Sequence, residues 1–124
     1  MTKGYVGWAL GEATRNRLLE EFPPTYEKVV AHHCTLKFGV DDTFPLPTAT
    51  EAQIVGVADD LMGVQALVLN IDGVTSRPDG SVYHITWSLG PGRKPIDSNK
   101  VIANQGFKPV APVAIEIHPK FFAF

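Results

Sequence analysis

Two short stretches constrain this chain more than anything else in it: "AHHCTLKF" (31–38) and "VYHITWSL" (82–89). Each holds His-x-Thr followed by a large apolar residue, His33-Cys34-Thr35-Leu36 and His84-Ile85-Thr86-Trp87. Side chains of a strand alternate between its faces. His33 and Thr35 therefore point one way, together with Ala31 and Lys37. His84 and Thr86 share a face with Val82 and Ser88. The opposite faces carry Cys34, Leu36 and Phe38 in one stretch, and Tyr83, Ile85 and Trp87 in the other. A chain built this way must lay both stretches in sheet, with the apolar sides on a core and an imidazole and a hydroxyl left over on each outer side.

The remaining sequence fits that demand. "KGYVGWAL" (3–10) reads as a strand, and "GEATRNRLLEEF" (11–22) as a helix that Pro23-Pro24 stops. "EKVVAHHCTLKFG" (27–39) is the next strand, followed by a Pro/Thr/Asp-rich loop. Apolar runs at 54–58 and 64–71 predict two more strands, "RPDG" a turn, and 81–90 a further strand. A glycine- and proline-rich loop, "PGRKPIDSN", leads into a short helix with Asp97 or Ser98 as N-cap and Gly106 near its end. A strand and an aromatic tail close the chain. The expected class is α+β, with antiparallel sheet and about two helices.

Length sets the scale: 124 residues make one domain, 1–124, with enough chain to bury a core. A net charge of −2 excludes a general basic field for nucleic acid, so a nucleotide partner must be small or held locally. The lone Cys34 excludes an internal disulfide and a Cys-rich zinc site, and suits a reducing compartment. The opening residues lack a signal-peptide core, and no stretch approaches the ~20 apolar residues of a membrane span. The expected location is the cytoplasm, away from membranes.

Two histidines facing one pocket can divide proton work. The neutral one takes a proton from an attacking oxygen, and the protonated one gives a proton to the leaving oxygen; an ordinary imidazole pKa of ~6.5 lets both forms exist near neutrality. Threonine hydroxyls beside them can hold the oxygens of a phosphate. This chemistry calls for no metal and no cofactor.

At these residues the sequence resembles the two-histidine (2H) phosphoesterase superfamily, whose signature is paired H-x-T-x motifs on separate strands. It looks most like the cyclic phosphodiesterase domain of fungal-type tRNA ligases, through the doubled histidine of "AHHCTLKFG" and the Pro-x-x-Ser-Asn of "KPIDSN". The likeness covers roughly residues 30–102. It implies a compact bilobal fold with the motifs in a central cleft, shorter here than in most members. It implies His33 and His84 as the acid–base pair, with Thr35 and Thr86 holding the phosphate. The implied substrates are nucleotide 2′,3′-cyclic phosphates at RNA ends, or cyclic oligonucleotide signals. The alternative is a module that binds a nucleotide or RNA end without turning it over.

Other residues carry weaker expectations. Arg93 and Lys94 lie on the loop after the second motif, where they can close over a phosphate or stand as a solvated basic turn. Lys37 is expected at the cleft's edge. Tyr5 is the candidate for stacking on a base, whereas Trp8 and Tyr83 suit the core. His32 is expected on the opposite strand face from His33, in a structural role, which also argues against a shared metal site. Cys34 is expected to pack. The tail "HPKFFAF" is either a docked strand or a self-association surface. Oligomeric state is left open.

Overall fold

The computed structural model describes residues 2–124. In chain order the elements are β1 (Lys3–Ala9), α1 (Glu12–Glu21), β2 (Lys28–Val29), β3 (His33–Asp41), β4 (Glu51–Asp59), β5 (Val64–Asn70), β6 (His84–Leu89), α2 (Asp97–Gln105), β7 (Lys108–Glu116) and β8 (His118–Ala123). Every strand pairing is antiparallel. The sheet runs β7-β4-β5-β6-β3-β1-β8, and β2 also pairs with β6. The class is α+β: two helices and one curled antiparallel sheet of eight strands.

The curl follows from connectivity. β7 and β8 are the outer strands of the order, yet only Ile117 lies between them. Two residues of chain span no more than about 7 Å. The two borders of the sheet are therefore drawn together at Ile117, which is buried and donates its N–H to the Thr50 carbonyl.

β5 is the centre of the packing. Its run from Val64 to Leu69 is buried throughout, as expected of a strand covered on both faces. Leu67 and Leu69 join a core with Trp8, Leu18, Ile54, Ile85, Trp87 and Ile117, which α1 caps through Leu18. Val64, Ala66 and Val68 join a second core with Leu89 and with Val101 and Ile102 of α2. Each Val, Leu or Ile among them contributes roughly 1.5–3 kcal/mol by leaving water. Trp8 and Tyr83 meet edge to face in or beside this interior, as their apolar character predicts.

Three irregularities bear on the two motifs. First, the strand expected over 27–39 is broken at Ala31, which sits at φ +46. Its N–H donates to the Thr86 carbonyl and its own carbonyl accepts from Arg15 Nε. Second, the β1/β3 ladder slips between Val6 and Gly7, passing from Val6↔Lys37 to Gly7↔Thr35 and leaving Leu36 as an extra residue. Such a bulge inverts the faces beyond it. Only glycine fits at its partner position, since a Cβ on Gly7 would lie 2.1 Å from the Cys34 carbonyl oxygen. Third, the β5/β6 ladder slips between Gln65 and Ala66, and the Ser88 hydroxyl donates to Gln65 Oε1 instead of continuing the row of His84 and Thr86.

The C-terminal aromatic segment is a docked strand, β8, paired along β1 with Phe122 buried. No helix is long and apolar enough to cross a membrane among the described residues.

Candidate active site

The two motifs meet in the middle of the sheet. β3 and β6 share one backbone pair, Cys34↔Ile85, the central residues of the two His-x-Thr triplets. In an antiparallel pair this sets His33 opposite Thr86 and Thr35 opposite His84, all four on the face away from Cys34 and Ile85. The two histidines are then diagonal neighbours, with side-chain origins about 7–8 Å apart. Cys34 and Ile85 point into the first core; burial pushes the Cys34 thiol up to about 12, the state of a packing residue.

His33, Thr35, His84 and Thr86 line one cavity of about 510 Å³, together with Tyr5. A larger, more open groove of about 820 Å³, edged by Arg17, Glu51, Asp72 and Glu116, holds none of them. Paired imidazoles are what give the smaller cavity chemistry, so it is the candidate site.

The His84 side is fixed. His84 is 9% exposed and its Nδ1 donates to the Val82 carbonyl at 2.8 Å. That bond assigns the neutral ring a free lone pair on Nε2. Burial, with the Arg77 charge, holds its pKa below the ordinary imidazole value against the opposing pull of the Val82 carbonyl. Thr86 meets the hydroxyl of buried Ser98 at 2.9 Å and donates to the Pro95 carbonyl across a long 3.3 Å. This latches the first turn of α2 onto β6. A phosphate oxygen is a stronger acceptor than the distant Pro95 carbonyl and can draw that proton into the cavity.

The His33 side is looser. Its ring leans on Tyr5 and Phe122, with centroids at 5.2 and 5.1 Å. Its Nδ1 lies 2.9 Å from Nδ1 of His32. Burial first, then the neighbouring imidazoles of His32 and His84, press its pKa down to about 4. The expected placement of His32 on the opposite face does not hold: the turn at Ala31 interrupts the strand before His33, and His32 stands exposed beside its neighbour.

Several cavity residues escaped the sequence reading. Arg77, from the loop between β5 and β6, reaches in with its side chain only 10% exposed. Asp79 holds its guanidinium through two oxygens, and Nη1 donates to the Thr35 carbonyl. Its stretch "RPDG" signals a turn and nothing more. Asn99, on the first turn of α2, brings a buried amide oxygen with no hydrogen-bond partner; here "KPIDSN" held a signal, because its pattern points at this turn. Phe38 and Ile96, 68% and 62% exposed, form the rim. Phe38 was expected in the core, but the Leu36 bulge turns it to the cavity, where it stacks on Tyr5 at 5.8 Å.

Two basic expectations are corrected. Lys37 does not line the cavity; the same bulge turns it away, and its ammonium lies over the Phe44 ring. Arg93 lies outside as well. It pairs with Asp60 at 2.9 Å and with Asp97 at 3.4 Å, and donates to the Met62 carbonyl. These contacts brace the β4–β5 turn, and two carboxylates already take up its charge.

Comparison with protein-family models, with curated proteins and with solved structures finds no match for this chain.

Proposed function

We propose that the protein is a metal-independent phosphodiesterase of the two-histidine kind, acting on a phosphodiester in which a ribose 2′-oxygen takes part. The substrate is a nucleotide 2′,3′-cyclic phosphate, as at a cleaved RNA end, or a cyclic oligonucleotide signal. In this reading β1, β3 and β8 form one lobe and the β4–β7 strands the other, with the cleft along β3 and β6. The observation that carries it is the Cys34↔Ile85 pair, which turns two imidazoles and two hydroxyls onto one cavity.

The roles follow from the two environments. His84, neutral and with Nε2 free, takes the proton from the attacking oxygen, a water or a 2′-hydroxyl. His33 gives a proton to the leaving oxygen. Its own pKa is low, and an entering phosphate anion favours the extra proton that this donation needs, because an opposite charge stabilises an imidazolium nearby. Thr35, Thr86 and Arg77 hold the non-bridging oxygens, where charge grows in the transition state. Phe38 offers its exposed ring to a base. The cavity is within the usual range for small-ligand sites, about 300–1,000 Å³.

The test is direct. The protein is incubated with 2′,3′-cyclic nucleotides and with cyclic dinucleotides, chelator present, and products are followed by phosphorus NMR. Opening of the cyclic phosphate or of the dinucleotide ring is expected. Saturable binding with no product from either class would replace the enzyme by a binding module.

A further inference from the structure

We infer that His32 is the proton reservoir of His33: the imidazolium of His32 hands its Nδ1 proton to Nδ1 of His33 as His33 releases its Nε2 proton to the leaving oxygen. This rests on the phosphodiesterase reading above. Two imidazoles in contact through Nδ1 can hold one extra proton between them, but not two, since the rings would then present N–H to N–H. At 2.9 Å one nitrogen donates and the other accepts.

Several observations decide where that proton rests. His32 is exposed, whereas His33 is half-buried in the cavity wall. A cation on His32 keeps more of its hydration than one on His33. The His84 imidazole, which lines the cavity with His33, adds to this by opposing a proton on His33. Charge on His32 makes it the donor, so Nδ1 of His33 accepts and its own proton sits on Nε2. His33 thus differs from His84, whose Nε2 carries the lone pair.

The surroundings fix the rings, and among the described residues neither imidazole pairs with a carboxylate. Phe122 packs against both, at 5.8 Å from His32 and 5.1 Å from His33. The left-handed turn at Ala31 sets the His32 ring beside that of His33. The ionisable groups around the pair include Tyr5 on β1, Arg15 on α1 at the Ala31 carbonyl, His84 on β6, Arg77 on the β5–β6 loop, and His118 and Lys120 on β8.

The step balances. Before it, His32 carries protons on both nitrogens and His33 on Nε2 alone. After it, His32 is neutral with Nε2–H, His33 is neutral with Nδ1–H, and the leaving oxygen is a hydroxyl. A solvent proton taken up at Nε2 of His33 sends the Nδ1 proton back to His32 and restores the start.

The experiment compares His32→Asn and His32→Ala with the parent protein on two substrates. One is a 2′,3′-cyclic nucleotide, with an alkoxide leaving group. The other is a nucleoside 3′-(4-nitrophenyl phosphate), whose leaving group needs no proton. Both variants are expected to lose about 10–10²-fold in kcat/KM on the first and at most about two-fold on the second. With His32→Asn the alkaline limb of the pH profile moves to lower pH, because His33 must then carry the proton itself. Ring nitrogen-15 spectra of the ligand-free protein are expected to show His33 protonated on Nε2, kept in His32→Asn, whose amide still donates, and scrambled in His32→Ala. Equal losses on both substrates, no loss on either, or a resting His33 protonated on Nδ1 would overturn the reservoir and leave the enzyme standing. A parent protein that turns over neither substrate removes the enzyme, and the reservoir with it.

Discussion

The two His-x-Thr motifs use the same three-residue pattern and are held in opposite ways. His84 and Thr86 sit in a central strand whose residues are all buried; the imidazole is tied to a backbone carbonyl, and the hydroxyl to a buried serine. His33 and Thr35 begin a strand that follows a break and precedes a bulge, and the imidazole is tied to another imidazole at the surface. A general base profits from one fixed lone pair. In the proposed reaction a general acid must be recharged, and the contact with exposed His32 offers a route. The contrast fits the unlike roles proposed for the two residues.

The sharpest way to break this contrast is to remove each imidazole in turn. His84→Ala is expected to cost about 10³-fold or more in kcat/KM on both cyclic phosphate and 4-nitrophenyl ester, and His33→Ala about 10²-fold on the first with little on the second. Steady-state kinetics on the two leaving groups checks it; equal profiles for the two variants would erase the distinction. Arg77 donates to the Thr35 carbonyl and its charge acts on His84, so Arg77→Ala should cost about 10–10²-fold, with Arg77→Lys recovering part of it, since a lysine supplies charge without the fork that Asp79 holds.

The same contrast reaches stability. An unfolded chain gives His33 its ordinary pKa near 6.5, whereas the folded protein holds it at about 4. Between those values the unfolded state binds more protons, so stability conferred above pH 6.5 is lost as pH falls toward 4. Burial of His84 acts in the same direction. Thermal melts across that window should show the fall, and His33→Asn should flatten part of it. The smallest expected effect separates the hydroxyls. Thr86→Val strands Ser98 and should cost about 1–2 kcal/mol of unfolding free energy, whereas Thr35→Val should cost less than about 0.5. Denaturant titrations resolve the two.

What the sequence made legible follows the same division. Alternation placed His84, Thr86, Ile85 and Trp87 correctly, because β6 runs regularly through them until the slip that diverts Ser88. It placed His33, Thr35 and Cys34 correctly too, then failed on both sides of them. Nothing local in "VVAHH" says that Ala31 will take a left-handed turn, a conformation held by Thr86 and Arg15 from elsewhere in the chain. Nothing in "TLKF" marks Leu36 as an extra residue, so Phe38 and Lys37 were read on the wrong faces. Arg77 enters the cavity through contacts with Asp79 and with Thr35, distant in sequence, which periodicity does not report. Arg93 could be read as closing over a phosphate or as a solvated turn, and neither reading foresaw its pairing, because its partner Asp60 belongs to another turn. The aromatic ending left a docked strand and a sticky surface both open, because the strand it docks on, β1, lies at the far end of the chain, from Lys3.

One feature of the backbone reaches further than its size. With a single residue between β7 and β8, one length of chain stitches the β4 margin and the β1 margin together. Spreading the sheet open between β3 and β6 would strain one of those seams, so the rim side chains Phe38 and Ile96 are the parts of the cavity mouth freest to move.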